Sequence, residues 1–281
     1  MKLIECPRDA MQGLHEFVPT DIKAKYINLL LQVGFDTIDF GSFVSPKAIP
    51  QLRDTQEVLA QLDLSNTPTK LLSIVANLRG VDEAIQRGQI TYIGYPFSVS
   101  ETFQQRNTNS SITQSLQLVE EMIERCDRYK KTPVVYLSMG FGNPYGDEWT
   151  TNIVEDWAGE LVSRGVKILS LADTTGVSTP DKINLLLPSL IENFPTTEIG
   201  VHLHSTPDGR LEKIEAAYAT GCKRFDSAVK GFGGCPMAAD DLTGNLATED
   251  LIYYLESQGE NLNLNKDKWN EAIFFSQQIF G

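Results

Sequence analysis

Short apolar runs alternate with longer amphipathic runs along the whole chain. The short runs are apolar or β-branched, which is typical of buried strands. Eight of them predict β-strands, at residues 3–6, 35–40, 70–76, 90–94, 133–139, 167–171, 198–203 and 223–229. The sequence therefore predicts eight strands that are separated by helical segments.

The segments between the predicted strands carry apolar residues at helical spacing. The first of them shows this spacing at Ile22, Tyr26, Leu29 and Val33. Thr179-Pro180-Asp181 combines an N-cap, a proline at the first helical position and an early acid, so we expect a helix to begin there. Helical segments at 248–256 and 266–280 come last, whereas 62–69 and 104–113 are predicted to be loops.

Strands that alternate with helices over 281 residues are most simply arranged as a (β/α)₈ TIM barrel. A doubly wound open sheet is the alternative, but Pro7-Arg8-Asp9 stands where that fold usually has a glycine-rich turn. No linker rich in Ser, Gly or Pro divides the chain. Residues 1–281 are therefore predicted to form one catalytic domain, with the C-terminal helices packed on the barrel.

Composition and charge exclude several classes of protein. The chain has 24 Lys and Arg against 37 Asp and Glu, a formal net charge of −13, which argues against general binding to nucleic acid or anionic membranes. No apolar run approaches the roughly 18 residues of a membrane span, and the N-terminus shows no signal-peptide pattern. Four irregularly spaced cysteines favour neither disulfides nor a zinc ribbon. We expect a cytoplasmic protein without nucleic-acid or membrane partners.

Polar and ionisable residues cluster at the predicted C-terminal ends of the strands, which is the end that carries the active site in a TIM barrel. The residues found there are Arg8, Asp9, Asp39, Asn77, Asp173, His202, His204 and Lys230. A barrel that needed stability alone would not require so many polar groups at one end. We therefore expect an active site at this rim.

His202 and His204 are the sharpest local signal, because the chain has three histidines in all. Alternate residues of a strand point to the same face, so both imidazoles can converge on one metal ion. Two ordinary polar residues at a strand end are an equally good interpretation of this short motif. Asp9 favours the metal, since its carboxylate can complete a set of two nitrogens and one oxygen. Such a set favours Mg²⁺ or Mn²⁺ over zinc.

Three glycines precede a cysteine in the segment Lys230-Gly231-Phe232-Gly233-Gly234-Cys235-Pro236. Such a loop can approach a ligand closely, and a thiol at its tip can act as an acid, base or nucleophile. A flexible turn with an incidental thiol is the alternative. Arg8 is either an ion-pair partner of Asp9 or a cation that stabilises an enolate. Asp173 is either a turn residue or a group that handles a proton.

Several motifs together resemble the 3-hydroxy-3-methylglutaryl-CoA (HMG-CoA) lyase family of metal-dependent TIM barrels. The motifs are Arg8-Asp9-Ala10-Met11-Gln12, Ser42-Phe43-Val44-Ser45-Pro46-Lys47, His202-Leu203-His204, Gly231-Phe232-Gly233-Gly234-Cys235-Pro236 and Gly244-Asn245-Leu246-Ala247-Thr248-Glu249-Asp250. The resemblance runs from about Glu5 to about Glu256, nearly the whole chain.

The resemblance implies cleavage of HMG-CoA to acetyl-CoA and acetoacetate. It implies Mg²⁺ or Mn²⁺ as cofactor, held by Asp9, His202, His204 and Asn245. It implies catalytic roles for Arg8, Asp39, Asp173, His202 and Cys235, and contacts to an acyl-CoA substrate by Arg8, Gln12 and Asn77. Arg8 would stabilise the enolate of the departing acetyl-CoA, and Cys235 would protonate it. His202 and Asp173 would handle the proton of the tertiary hydroxyl.

The chain also departs from the family pattern. Ala10, Met11 and Gly13 replace three residues of the usual motif after the first strand, and Asp39 replaces a catalytic glutamate. The alternatives are a condensing enzyme or aldolase of the same superfamily, and a barrel that binds acyl-CoA without efficient turnover. The apolar residues of the C-terminal helix, with Trp269 among them, would cover either the barrel or a neighbouring subunit, and we expect a homodimer. The pathway, whether leucine catabolism or ketone-body formation, stays open.

Overall fold

The structure is a computed structural model that describes residues 1–234 and 243–281. Its eight parallel strands form a closed barrel in sequence order. They are β1 (Lys2–Glu5), β2 (Thr37–Ser42), β3 (Lys70–Ile74), β4 (Ile90–Ser98), β5 (Thr132–Ser138), β6 (Ile168–Asp173), β7 (Glu198–Leu203) and β8 (Arg224–Ser227). Because β1 pairs with both β2 and β8, the predicted TIM barrel is confirmed and the open sheet is ruled out.

Helices surround the barrel. Those of the described ranges are α1 (Pro7–Gln12), α2 (Thr20–Leu31), α3 (Thr55–Leu59), α4 (Leu78–Ile85), α5 (Glu101–Thr108), α6 (Ile112–Arg128), α7 (Thr151–Ser163), α8 (Pro180–Asn193), α9 (Arg210–Ala219), α10 (Thr248–Ser257) and α11 (Lys266–Phe280). α8 begins where the sequence predicts, since the Thr179 hydroxyl accepts a hydrogen bond from the backbone N–H of Lys182. None of these helices is long and apolar enough to cross a membrane.

One predicted loop is wrong. The stretch 104–113 lies mostly in α5 and at the start of α6. It is polar and lacks the apolar spacing that predicts a helix, yet the Ser100 side chain caps α5 and the buried ring of Phe103 anchors it. Asn109, with a φ of 55°, separates the two helices. The other predicted loop, 62–69, contains neither helix nor strand.

The core has two layers. The larger layer lies between the outer faces of the strands and the helices. A smaller apolar cluster fills part of the barrel lumen and consists of Leu72, Tyr92, Val134, Tyr136 and Ile168. Charged side chains share the lumen with this cluster, among them the buried Arg224 and Asp226. The two sets are in contact: the Arg224 guanidinium lies 6.0 Å from the ring centre of Tyr92, and Asp226 Oδ2 lies 3.2 Å from His202 Nδ1.

Candidate active site

His202 and His204 lie on one face at the end of β7, as alternate residues of a strand must. Their Nε2 atoms are 3.2 Å apart, and both side chains are buried. Each Nδ1 has its own oxygen partner: Asp226 Oδ2 at 3.2 Å for His202, and the Thr243 carbonyl at 2.8 Å for His204. The prediction that the two imidazoles converge is therefore confirmed.

The partners of the Nδ1 atoms fix the tautomers of both rings. A carbonyl oxygen accepts but cannot donate, so His204 Nδ1 carries a proton and its Nε2 presents a lone pair when the ring is neutral. An imidazole bound to a metal usually donates its other N–H to a carboxylate or a carbonyl in this way. Two ligands about 2.1 Å from one ion and at right angles to each other stand roughly 3.0 Å apart. The separation of the two Nε2 atoms fits that geometry.

Asp9 brings a carboxylate to the histidines from the first turn of α1. Ligand atoms of Asp9, His202 and His204 all lie within 4.8 Å of one another, and all three residues are buried. Burial raises the pKa of Asp9, but Arg8 and the two histidines lower it, to about 2. The carboxylate is therefore ionised at neutral pH, which is the form that binds a cation.

Asn245 completes the group of predicted metal ligands. Its side-chain amide donates to Asp9 Oδ2 at 2.7 Å and to the Phe232 carbonyl at 2.8 Å, and its backbone pairs with that of His204. All four predicted ligands are therefore in one place. The amide nitrogen of Asn245 faces Asp9 in this structure, so binding of a cation by its oxygen requires the amide to turn.

Cys6 belongs to a second group of possible ligands, with His202 and Asp226. Burial and the nearby Asp226 raise the pKa of the Cys6 thiol well above its ordinary value, so the thiol stays protonated. Its sulfur also approaches the Ile4 carbonyl, at 3.6 Å. Neither Cys6 nor Asp226 lines the cavity above the histidines, whereas Asp9 does. The group that includes Asp9 is therefore the one open to a substrate and the better cation site.

Arg8 lies beside Asp9, and its guanidinium is held from several sides. Its Nε and Nη2 donate to Asp39 Oδ2 at 2.9 and 2.6 Å, and its Nη1 donates to Asp9 and Gln12, each at 2.9 Å. The second hydrogen of Nη2 has no partner among the described residues. Arg8 therefore offers one fixed N–H to a ligand at the place where negative charge can develop.

A cavity of about 370 Å³ opens above these groups. Arg8, Asp9, Gln12, His202 and His204 form one part of its wall. The remaining wall includes Asn77, Arg106, Asn107, Tyr136 and Thr174. Gln12 and Asn77, for which the resemblance implies substrate contacts, thus line the cavity, and the contacts themselves stay a prediction. Arg106 and Asn107 could not be selected from the sequence, because they belong to the polar stretch 104–113, which lacks the apolar spacing of a helix.

Comparisons with known proteins agree with this geometry. A family model described as HMGL-like matches residues 3–273. The cytoplasmic HMG-CoA lyase of Rattus norvegicus is 37% identical over 274 residues, which cover 97% of this chain and 79% of that protein. The chain belongs to the HMG-CoA lyase family. The resemblance drawn from the motifs is confirmed, and with it the expectation of a carbon–carbon lyase.

Solved structures of HMG-CoA lyases share the fold closely. The enzyme of Bacillus subtilis has a TM-score of 0.92 at 32% identity, with 99% of this chain and 93% of that chain covered. An HMG-CoA lyase of Acinetobacter baumannii, in complex with coenzyme A and 3-methylmalate, has a TM-score of 0.91 at 30% identity. That alignment covers 100% of this chain and 91% of the other.

Asp39, which stands where the family pattern has a glutamate, is fully buried and does not line the cavity. Both of its contacts to Arg8 use Oδ2. Burial raises the pKa of Asp39 to about 6, against the opposing effect of Arg8. At neutral pH the side chain is an anion that fixes the orientation of Arg8.

Asp173 lies behind the cavity wall, between the cavity residues Ala172 and Thr174. Its Oδ2 accepts hydrogen bonds from the backbone and hydroxyl of Ser178 and from Lys213 Nζ at 3.0 Å. Its Oδ1 is buried and has no partner within the described ranges. Sequence reasoning missed Lys213, because nothing in α9 shows that its lysine points toward β6.

The glycine-rich segment that precedes Cys235, called the glycine loop below, reaches the site at Gly233, which has a φ of +107°. A Cβ atom there would stand 2.7 Å from the amide nitrogen of Asn245 and 2.8 Å from the Asp9 carbonyl, so only glycine fits. The next carbonyl, of Gly234, accepts from the Gln12 side chain at 3.3 Å. Cys235, the predicted acid, lies outside the described residues.

Proposed function

We propose that this chain is a divalent-cation-dependent lyase that cleaves HMG-CoA into acetyl-CoA and acetoacetate. The observation that carries the proposal is the convergence of Asp9, His202 and His204 beside the free N–H of Arg8, within one cavity. The named activity of the family members supports the same reaction.

Asp9, His202, His204 and, after its amide turns, Asn245 would hold the cation. Their two nitrogens and two oxygens, without a thiolate, suit Mg²⁺ or Mn²⁺. When bound, such an ion polarises substrate oxygens and lowers the pKa of a hydroxyl. It also supplies local positive charge for an anionic substrate on a chain of net charge −13.

The reaction breaks the bond between C2 and C3 of the acyl group. The C3 hydroxyl loses its proton and becomes the ketone of acetoacetate, while the electron pair of the broken bond moves to C2 and the thioester carbonyl. The free N–H of Arg8 stabilises the resulting enolate oxygen. Protonation of C2 then gives acetyl-CoA, and we assign this proton to Cys235.

The proton of the hydroxyl needs an acceptor, for which the motifs suggest His202 and Asp173. His202 faces the proposed cation with Nε2 and Asp226 with Nδ1, so neither nitrogen is free while the ion is bound. We therefore assign His202 to cation binding. Asp173 lies behind the cavity wall, so we propose that the proton reaches its Oδ1, the oxygen without a described partner, through one water molecule and not by direct contact with the substrate. Asp173→Asn is then expected to lower kcat more than it raises KM.

The decisive test is formation of acetoacetate from HMG-CoA by the purified protein with Mg²⁺ or Mn²⁺. We expect activity that a chelator abolishes and either ion restores, and that His204→Gln lacks. His15→Gln is the matched control, because His15 does not line the cavity. Failure to form acetoacetate with any divalent ion would contradict the proposal and favour an aldolase, a condensing enzyme or a barrel without efficient turnover.

We propose an acyl-CoA as the substrate, consistent with the coenzyme A bound in the Acinetobacter baumannii relative. Arg106 and Asn107 in the wall of the cavity offer polar contacts to such a ligand. A homodimer located in the cytoplasm, without nucleic-acid partners, stays a prediction. Light scattering of the purified protein after gel filtration measures its oligomeric state.

A further inference from the structure

A line of charged side chains runs through the barrel lumen and ends on a proposed metal ligand. We call Lys2, Glu198, Arg224, Asp226 and His202 the lumen column. Lys2 forms an ion pair with Glu198, and Arg224 Nη1 donates to Glu198 Oε1 at 3.2 Å. Asp226 Oδ2 lies 3.2 Å from His202 Nδ1. The column therefore runs from the N-terminal end of the barrel to the cation site at the other end, and one step in it, from Arg224 to Asp226, is not bridged by a hydrogen bond.

Arg224 is the largest fully buried side chain of the described residues, and β7 leaves room for it. A Cβ atom at Gly200 would stand 2.7 Å from Cδ and 2.8 Å from Cγ of Arg224. Gly200 precedes His202 by two positions and shares its face of β7. The glycine and the arginine thus fit each other directly beneath the proposed ligand.

Arg224 and Asp226 carry opposite charges and lie close together in β8. The two residues are alternate positions of β8 and share its lumen face. Burial lowers the pKa of Arg224, but Asp226, Tyr136 and Glu198 raise it, and the net direction is upward. Within the described ranges no lysine or arginine, Arg224 included, forms a direct salt bridge with Asp226. Arg224 Nε and Nη2 and Asp226 Oδ1 are buried without hydrogen-bond partners there, so the arginine acts on the carboxylate through its charge and not through a direct hydrogen bond.

We propose that Arg224 is a positioning residue for the cation site and acts through Asp226. Its charge holds the Asp226 carboxylate in place, the carboxylate accepts the Nδ1 proton of His202, and Nε2 of His202 is thereby presented to the ion. The inference rests on the cation site of the proposed function. Carboxylates that orient metal-bound histidines in this way contribute about 10- to 100-fold to metal affinity.

Mn²⁺ binding, measured by electron paramagnetic resonance without substrate, tests the proposal. We expect Arg224→Met and Asp226→Asn each to weaken Mn²⁺ binding by about tenfold or more. Arg224→Lys keeps the charge and should recover most of the loss. The double variant Arg224→Met/Asp226→Asn should bind Mn²⁺ as Asp226→Asn does, since Arg224 acts through Asp226.

Lys23→Met is the matched control, because Lys23 is a buried cation paired with Asp54 at 2.7 Å and does not line the cavity. Its loss should lower stability and leave the Mn²⁺ affinity unchanged. If Arg224→Met does not fold, Gly200→Ala displaces the arginine without removing a charge and should weaken Mn²⁺ binding in the same direction.

The ¹⁵N shifts of His202 in the metal-free protein give a second readout that needs neither an ion nor turnover. We expect Arg224→Met and Gly200→Ala to lower the population with the proton on Nδ1. Folded variants with wild-type Mn²⁺ affinity and wild-type ¹⁵N shifts would overturn the role of Arg224. A wild-type protein that binds Mn²⁺ but forms no acetoacetate would overturn the proposed reaction and leave this role intact.

Discussion

Arg8 and Asp39 form a buried ion pair in which one carboxylate oxygen accepts two hydrogen bonds, from Nε at 2.9 Å and Nη2 at 2.6 Å. Asp39 is the residue at which the chain departs from the glutamate of the family pattern. Its shorter side chain nevertheless reaches Arg8 directly. Aspartate therefore makes the contact that orients the arginine, through Oδ2 alone, while its buried Oδ1 has no partner within the described ranges. The departure by itself does not indicate a weakened enzyme.

Asp39→Glu should lower kcat by about 10- to 100-fold rather than raise it. The extra methylene has to fit at a fully buried position and would push Arg8 away from its present position beside Asp9. Steady-state kinetics with HMG-CoA measure the effect. Asp36→Glu is the control, because Asp36 is partly exposed, lies immediately before β2 and does not line the cavity. A gain in rate for Asp39→Glu would instead support the barrel without efficient turnover.

The fold could be predicted from the sequence because strand and helix signals alternate with few exceptions. All eight predicted strands are present, and α11 has the predicted bounds. The exception is α5, where one buried aromatic ring, of Phe103, holds a polar helix that has no apolar stripe. Helices of this kind are stabilised by tertiary contacts and capping, which periodicity does not reveal.

The candidate site could be predicted in part. Alternation along a strand places His202 beside His204, and barrel topology brings Asp9 to them. Asn245 came from family resemblance alone, since it stands 41 positions after His204 in the sequence. The sequence did not single out three further residues of the site, Arg224, Asp226 and Lys213. Each has its partners on another strand or helix, and which residues face each other across such elements cannot be read from the sequence.

Lys213→Met should destabilise the protein by roughly 3–5 kcal/mol and lower kcat. Lys213 Nζ donates to Asp173 Oδ2 at 3.0 Å and to the His204 carbonyl at 2.7 Å, so its loss leaves a buried carboxylate without its cation. Thermal unfolding and steady-state kinetics check both effects. Adding Asp173→Asn should recover part of the stability but none of the rate.

Lys182→Met is the matched control for that experiment. Lys213 donates to two backbone carbonyls, of Gly176 and His204, in addition to Asp173. Lys182 likewise donates to two backbone carbonyls, of Phe141 and Val177, but to no carboxylate of the described residues. Its loss should therefore cost about 1 kcal/mol of stability and leave kcat unchanged. Equal losses of stability in the two lysine variants would show that the contact of Lys213 to Asp173 contributes nothing beyond hydrogen bonding.

Phe280→Ala should lower both stability and kcat, because the last turn of α11 packs on the glycine loop. The rings of Phe280 and Phe232 stack with centroids 4.4 Å apart, and the Phe232 carbonyl accepts from Asn245. We expect a loss of about 1 kcal/mol in the free energy of unfolding and a fall in kcat, with recovery in Phe280→Tyr. Phe274→Ala, on the same helix with 71% of its surface exposed, should behave as wild type.

Glu5 makes the stability of the protein depend on pH. Burial raises the pKa of this fully buried carboxyl group from 4.5 to about 8, against the hydrogen bonds from Thr248 and the Val229 backbone. The folded state then holds a proton that the unfolded state releases between pH 4.5 and 8. The free energy of unfolding is therefore highest, as far as Glu5 affects it, below pH 4.5. It falls as the pH rises to about 8, by up to about 5 kcal/mol.

Glu5→Gln should remove this dependence, since the amide resembles the neutral acid and keeps a donor for Thr248 and an acceptor for the Val229 N–H. Urea unfolding of both proteins at pH 4.5, 6 and 8 measures the difference. We expect the variant to match the wild type at pH 4.5 and to exceed it increasingly toward pH 8. A difference that is constant over this range would mean that Glu5 is ionised in the folded protein throughout, and that its two hydrogen bonds outweigh the cost of burying its charge.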